Sequence, residues 1–171
     1  MKILRGFVYT LVSIALLVAL LLFGARFADG PIEIIAGGPF TSGEMVTGPE
    51  PDWSFVRDTQ TVEFQLESPA RSRTTWIIEH EGKIYIPCGY MTTTWGKIWK
   101  KWPIEAEKDG RAILRVDGKL YSRQLVRVKT GSALESVVRK LSRKYRIPAT
   151  MEAVETDYLW VFEMAPRRQG V

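Results

Sequence analysis

The feature that most constrains this chain is an uncharged apolar run near its N-terminus, Gly6 to Ala25. A helix of these twenty residues would span about 30 Å, the thickness of the hydrocarbon core of a bilayer. The run is longer than the apolar core of an ordinary signal peptide, and no clean pair of small residues marks a cleavage site after it. We therefore expect residues 1–26 to be a transmembrane anchor, with a cleaved signal peptide as the alternative.

The charges beside the run predict its orientation. Lys2 and Arg5 precede it, whereas Arg26 follows it and is soon offset by Asp29. The positive-inside rule then predicts a single-pass membrane protein with a cytoplasmic N-terminus and an extracytoplasmic domain, attached through residues 6–25.

The basic balance of the chain lies largely at this anchor. Three of the 24 basic residues flank the run and all 19 acidic residues follow it, so the remainder carries a net charge of only +2. A nucleic-acid partner is therefore not expected.

A single cysteine, Cys88, excludes an internal disulfide framework, so the domain must be stable through its core.

Residues 27–60 are rich in glycine and proline and show no periodicity, which predicts a linker or a segment that wraps the domain. Gly37-Gly38 lacks the spacing and the lysine of a phosphate-binding loop. The rest of the chain, residues 61–165, has the length of one domain, and residues 166–171 are expected to be a frayed tail.

Alternation and turn signals predict β-strands through most of this domain. Asp117-Gly118 between two alternating runs is the strongest hairpin signal, because both residues tolerate positive φ; Glu81-Gly82 and Asp109-Gly110 mark two more turns. An apolar run near the C-terminus predicts a buried central strand. The predicted strands are 61–67, 74–80, 83–87, 104–108, 111–116, 119–128 and 158–164.

Two segments predict helices instead. Residues 92–102 form a short Trp-rich helix that Pro103 ends, and a stripe of large side chains lies along one face. Those side chains are expected to be core, and would form an aromatic binding or interfacial surface if exposed: Trp95, Ile98, Trp99 and Trp102. Ser132 and Glu135 predict a capping box for an amphipathic helix to Tyr145, which packs on the sheet or docks on a membrane through its basic face.

The predicted fold class is mainly β (α+β): an N-terminal transmembrane helix followed by a small split antiparallel β-barrel with the two helices above. The order of strand, basic RSRTTW, HEGKIYIPCGY hairpin, Trp-containing helix, ILRVDGKLYSRQLVRV hairpin and closing helix resembles the split β-barrel flavoproteins. These include the pyridoxamine-phosphate-oxidase-like and the deazaflavin-dependent nitroreductase-like proteins. The resemblance covers residues 62–145.

The resemblance implies a homodimer that binds FMN or a deazaflavin at the subunit interface. Basic and hydroxyl side chains beside the second strand would hold the cofactor phosphate, Cys88 would lie in a loop near the ring, and Lys97 would be a second phosphate-binding base. The implied cofactor-binding residues are Arg71, Arg73, Thr74, Thr75, Cys88 and Lys97. The C-terminal Arg and His of true pyridoxamine phosphate oxidases have no match here, so that substrate is not expected.

The sequence shows no pattern that indicates metal binding or hydrolysis. His80 has no partner at metal-ligand spacing, and no catalytic triad or paired-carboxylate pattern is visible, so neither a metal nor hydrolysis is expected. Cys88 is interpreted as a buried small hydrophobe, with a nucleophile or a haem ligand as the alternatives. Two hypotheses remain: a membrane-anchored flavin-binding oxidoreductase, or a non-catalytic envelope module for a lipid, a small apolar ligand or a protein partner.

Overall fold

The computed structural model describes residues 2–167, without the side chains of Lys2, Trp95 and Lys97. The predicted frayed tail falls largely on residues 168–171, which lie outside this range. The helices are α1 (Lys2–Gly24), α2 (Thr94–Trp99), α3 (Trp102–Lys108), α4 (Ser132–Tyr145) and α5 (Met151–Glu155). The strands are β1 (Glu44–Met45), β2 (Thr61–Glu67), β3 (Ala70–Trp76), β4 (Ile78–His80), β5 (Lys83–Cys88), β6 (Arg111–Val116), β7 (Lys119–Val128) and β8 (Trp160–Pro166).

The first helix has the length and composition of a membrane span. α1 continues into a 3-10 turn, and Ile3–Phe27 is apolar enough to cross a bilayer, with none of its most apolar window buried against the rest of the chain. A membrane-capable helix is thus present where the sequence predicts it. Its role as an anchor and its orientation stay predictions.

The eight strands form one curled sheet, which confirms the mainly-β fold class. The order across the sheet is β3-β2-β6-β7-β8-β5-β4, antiparallel throughout, with β1 adding a short parallel pairing to β7. The two edge strands, β3 and β4, are consecutive in the chain and only Ile77 separates them. The sheet therefore curls until its two edges meet at one corner.

Two of the predicted hairpins are confirmed. Asp117 and Gly118 both have positive φ, 49° and 73°, and join β6 to β7 in the expected register. Glu81 and Gly82, at 52° and 73°, join β4 to β5 in the same way.

Apolar side chains fill two regions. The concave side of the sheet holds a core that includes Trp53, Phe64, Trp102 and Phe162, all buried. The apolar stripe of α4 covers the other side, where Leu134, among others, packs in a second core with residues of β4, β5 and β8. The predicted stripe is confirmed, and β8 lies between β7 and β5 as the predicted buried strand.

The chain after α1 packs closely on the sheet. Ala25 is buried, the Gly37 amide donates to the Ser72 carbonyl of β3 at 3.0 Å, and the Gly38 amide donates to the Ala28 carbonyl at 3.1 Å. A Cβ added at Gly37 would lie 1.7 Å from the Gly30 carbonyl oxygen, so only glycine permits this approach. Asp29 pairs with Arg115 of β6 at 2.9 Å, which fixes the exit of α1 against the barrel.

The prediction of a strand over residues 104–108 and of a hairpin at Asp109-Gly110 is wrong. Residues 104–108 belong to α3, Asp109 is its C-cap, and Pro103 lies in its first turn. Proline is suited to that position, because its missing N–H would be unpaired there in any case and its fixed φ is helical. Pro103 therefore begins a helix in place of ending one, and the Trp-rich segment is split into α2 and α3.

Two further local predictions are wrong. The predicted strand 74–80 bends at Ile77, because its first part pairs with β2 and its last part with β5. The capping box is not formed, since Gly131 at φ 114° is the N-cap of α4 and no side chain caps the helix. α5 was not expected from the sequence.

Candidate functional site

A large cleft lies along the free edge of β3. Its volume is about 1220 Å³, and its walls come from β3, the end of β5, the α2–α3 junction, residues 33–36 and the last turns of α1. The cleft brings together five of the six residues that the resemblance implies as cofactor-binding: Arg71, Arg73, Thr74, Thr75 and Cys88. The side chain of the sixth, Lys97, lies outside what the structure describes.

Two arginines of β3 lie on the concave side of the sheet. Arg73 pairs across the ladder with Phe64 and Arg71 with Leu66, and directly opposed residues share a face, so both guanidinium groups point toward the core side. Arg71 Nη2 donates to the Ala36 carbonyl at 2.7 Å. Its Nε is buried and has no hydrogen-bond partner in the described part of the chain.

Arg73 is also held by the backbone. Its Nη1 donates to the Arg71 carbonyl at 2.9 Å, while Glu105 of α3 is 3.6 Å from Nη2, beyond normal hydrogen-bond length. Burial lowers the pKa of Arg73, although a guanidinium stays protonated at any ordinary pH. The cleft thus contains a largely buried cation with one distant counter-charge.

Threonines and a tryptophan continue the strand. Thr75 lies on the same face as the two arginines, whereas Thr74 and Trp76 are exposed on the other face, and all three line the cleft. Trp76 stacks on Tyr145 of α4 at a centroid distance of 4.4 Å and an interplanar angle of 11°. Hydroxyl donors and a flat aromatic surface therefore lie next to the arginines.

Cys88 ends β5 at the wall of the cleft but is not an activated thiol. It is buried, its Sγ lies 3.7 Å from Met91 Sδ, and burial raises its pKa to about 11 although Lys100 and Arg73 oppose this. The neutral thiol is a small apolar group at physiological pH. The structure favours the interpretation of Cys88 as a buried hydrophobe over that of a nucleophile.

Lys100 is a site residue that the sequence did not single out from its neighbours. It follows α2, lines the cleft, donates to the Gly89 carbonyl at 3.0 Å and lies 5.3 Å from the centre of the Tyr90 ring. Tyr90 contacts Tyr158 edge-to-face at 5.2 Å, and both line the cleft. No local pattern marks these residues, because they meet only where the loop after β5 passes the chain before β8.

The Trp-rich stripe divides between core and surface. Trp102 is buried edge-to-face against Phe64 at 5.0 Å, but Trp99 is 66% exposed and Ile98 62% exposed. The expectation that the whole stripe is core is therefore wrong, because the break between α2 and α3 turns Ile98 and Trp99 outward. Trp99 contributes to the cleft wall.

No metal site is formed by the described residues. His80 ends β4 opposite Lys83, and no group of three His, Cys, Asp or Glu side chains in residues 2–167 could hold an ion.

Comparisons with known proteins return distant structures only. No protein-family model matches the chain, and no curated protein matches it. The conserved hypothetical protein Rv2991 of Mycobacterium tuberculosis is similar at 16% identity and a TM-score of 0.49, over 76% of this chain and 86% of that one. A Listeria innocua protein assigned as a pyridoxamine 5′-phosphate oxidase is similar at 10% identity and a TM-score of 0.44, over 67% and 90%. Because both TM-scores lie below 0.5, neither likeness bears on what this chain binds.

Proposed function

We propose that this chain binds a flavin-type cofactor, FMN or a deazaflavin, in the cleft along β3 and acts as an oxidoreductase. The observation that carries the proposal is the set of hydrogen-bond and ion-pair partners of three basic residues, Arg71, Arg73 and Lys100. Each donates to a backbone carbonyl, and their one ion pair with a carboxylate in the described residues is the 3.6 Å approach of Glu105 to Arg73. A cleft with this excess of positive charge is suited to an anion.

The donors fit a phosphate group. The buried Nε of Arg71 has no partner among residues 2–167, and a phosphate oxygen would supply one. Arg73 and the hydroxyl of Thr75 lie on the same face of β3 as Arg71, and two cations with a hydroxyl donor match the charge of a phosphate dianion.

The remainder of the cleft fits a flat ring system. Trp76, Tyr90 and Trp99, which are 38%, 58% and 66% exposed, give the cleft an accessible aromatic and apolar surface. The volume of about 1220 Å³ exceeds the roughly 300–1,000 Å³ of pockets for drug-sized ligands, so a second molecule would have room beside the cofactor.

Under this proposal the chain orients the cofactor and excludes water. A bound flavin would supply the hydride-transfer chemistry. Arg71 and Arg73 bind the phosphate, the apolar walls desolvate the ring, and the protonated Cys88 leaves the loop after β5 without a negative charge near it. Thr75, on the same face of β3 as the arginines, donates a hydrogen bond to the phosphate. Thr74 lies on the opposite face, and its contact with the cofactor stays a prediction.

The test is a titration of the full-length chain in detergent micelles with FMN and with a deazaflavin, followed by absorption and fluorescence. Arg73→Met is compared with Arg139→Met, which removes an equal charge from an exposed position on α4. Loss of one charge-assisted hydrogen bond costs about 1.5–3 kcal/mol, so Arg73→Met should raise the Kd at least roughly tenfold. Arg139→Met should leave it unchanged. No saturable binding to the folded wild-type chain, or equal binding by both variants, would overturn the proposal.

Two elements of the proposal lie beyond the described geometry. Lys97 as a second phosphate-binding base stays a prediction, tested by Lys97→Met in the same titration. The homodimer stays a prediction as well, and light scattering of the chain with and without FMN tests it.

A second candidate function is non-catalytic binding of a lipid with an anionic headgroup. The observation that favours it is the apolar wall that Ala19, Leu22 and Phe23 of α1 give to the cleft. Mass spectrometry of lipids retained by the purified chain separates the two candidates. A stoichiometric phospholipid that FMN does not displace supports the second, and its absence supports the first.

A further inference from the structure

We propose that the barrel lies flat on the bilayer that α1 enters, with a surface formed by α2 and residues 27–34 in contact with anionic lipid headgroups. We call this surface the docking face and define it by four large apolar side chains. These are Phe27, Ile34, Ile98 and Trp99, which are 76%, 88%, 62% and 66% exposed. The inference does not depend on the cofactor, since it concerns the outside of the domain.

The docking face is continuous with the apolar helix. Phe27 contacts Phe23 of α1 edge-to-face at 5.4 Å, and Ile34 and Trp99 line the same cleft as Leu22 and Phe23. Clustered exposed side chains of this size mark an interaction surface in a soluble domain. Here the surface adjoins a helix of 25 residues with the hydropathy of a membrane span.

The position of the docking face relative to α1 is fixed. Ala25 is buried, the chain after it is hydrogen-bonded to β3 through Gly37, and Asp29 is paired with Arg115. The barrel is therefore not on a free tether, and a bilayer around α1 meets the same side of the domain in every molecule.

The charges beside the docking face match an anionic leaflet. Arg26 precedes Phe27, and Lys100 and Lys101 directly follow α2. The acidic residues of the same segments are Asp29, which is paired with Arg115, and Glu33. Basic residues near a membrane surface are attracted to anionic lipid, and tryptophan favours the headgroup region. A bilayer containing anionic lipid is the occupant that satisfies both the apolar and the basic groups.

The consequence is that the cleft opens toward lipid. Ala19, Leu22 and Phe23 belong both to its wall and to α1, so a ligand dissolved in the membrane would reach the cleft without crossing water.

The test uses the full chain in vesicles of phosphatidylcholine with a minority of phosphatidylglycerol. An environment-sensitive fluorophore is attached at Ile98→Cys and, as a matched control, at Val126→Cys, an exposed apolar position on β7 that belongs neither to the cleft nor to the docking face. Ser13→Cys in α1 reports insertion of the span. Cys88 is buried and protonated, so the wild-type chain labelled in parallel gives the background.

We expect blue-shifted emission and quenching by spin-labelled lipids at Ser13→Cys and Ile98→Cys, and an aqueous spectrum at Val126→Cys. An aqueous spectrum at Ile98→Cys with a quenched Ser13→Cys would overturn docking while leaving the anchor in place. Aqueous spectra at both positions would overturn the anchor and the docking together. Equal quenching at Val126→Cys would overturn the choice of this face.

Discussion

Two groups of basic side chains lie on the same sheet in opposite electrostatic situations. Arg115, Arg123 and Arg127, on β6 and β7, each contact at least one carboxylate at 2.9 Å or less. Arg71 and Arg73 on β3 contact carbonyls at similar distances instead, and their one carboxylate neighbour in the described chain is 3.6 Å away. The positive charges of the first group are balanced by carboxylates in direct contact, whereas those of the second group have no carboxylate at hydrogen-bond distance in the described chain.

The difference separates arginines that stabilise the fold from arginines that are available to a ligand. Arg123 is 2% exposed, pairs with Glu50 and lies 4.8 Å from the Trp53 ring centre, so its charge ties the segment before β2 to the barrel. A desolvated guanidinium without a close carboxylate costs stability in the free protein. The cost is recovered when an anion binds, which is why we expect the second group to matter for binding.

The largest effect should come from Arg123→Met. It leaves Glu50 without its guanidinium and removes a cation that lies over the rings of Trp53 and Tyr121. We expect a loss of about 2 kcal/mol in the free energy of unfolding, below the roughly 3–5 kcal/mol of a fully buried pair because Glu50 is 38% exposed. Denaturant unfolding measures it, and FMN affinity of the folded variant should be unchanged. Unchanged stability would contradict the structural assignment of Arg123.

Arg73→Met should have a much smaller effect on the same unfolding measurement. The substitution keeps apolar volume and removes a desolvated cation, but it also leaves Glu105 without its ion pair. Because that pair is 3.6 Å long and is not a hydrogen bond, the loss in the free energy of unfolding of the ligand-free chain should be smaller than the loss in Arg123→Met. A loss as large as that of Arg123→Met would show that Arg73 is a structural arginine, and the contrast between the two groups would be lost.

Asp29 should give a pH-dependent effect within the first group. Hydrogen bonds from Ser42 and from the Thr41 amide, with Arg115 beside it, hold the pKa of Asp29 well below its usual value. Its contribution to stability is therefore present above the unfolded-state pKa of about 4 and is lost as pH falls below it. Asp29→Asn should lower Tm at neutral pH, with the difference from wild type narrowing in acid. A difference that is constant with pH would contradict the ionic role of Asp29.

The smallest expected effect concerns the thiol in the cleft. Because burial raises the pKa of Cys88 to about 11, a thiol reagent at about pH 8 should react with the native chain far more slowly than with the denatured chain. Absorbance of the released chromophore measures both rates. Equal rates would show an exposed thiolate and would reopen the nucleophile interpretation.

Local patterns predicted the parts of the fold that local chemistry decides. Asp117-Gly118 and Glu81-Gly82 adopt the positive φ that made them hairpin signals, and the stripe of α4 is buried as its spacing indicates. The failures occur where tertiary contacts decide. Ile77 bends the chain because its two flanking segments pair with different strands, and Pro103 begins a helix whose apolar face packs against the core.

The same distinction between local sequence and tertiary contacts applies to the residues of the candidate site. Arg71, Arg73 and Thr75 could be placed together from the sequence, because alternate residues of one strand share a face. Lys100, Tyr90 and Tyr158 could not, since they reach the cleft from segments whose approach depends on the whole barrel. The break between α2 and α3, which exposes Trp99, has no local signal apart from Pro103, and that proline is compatible with either end of a helix.

The central claim is that the arginines of β3, which have no carboxylate at hydrogen-bond distance in the described chain, bind a phosphate. Comparison of FMN with riboflavin tests it most directly, because the two differ in the phosphate group alone. We predict that the full-length wild-type chain binds FMN at least roughly tenfold more tightly than riboflavin, and that Arg71→Met with Arg73→Met abolishes this preference without unfolding the chain. Equal affinity for the two ligands in the wild-type chain, or a preference that survives the double substitution, would contradict the claim.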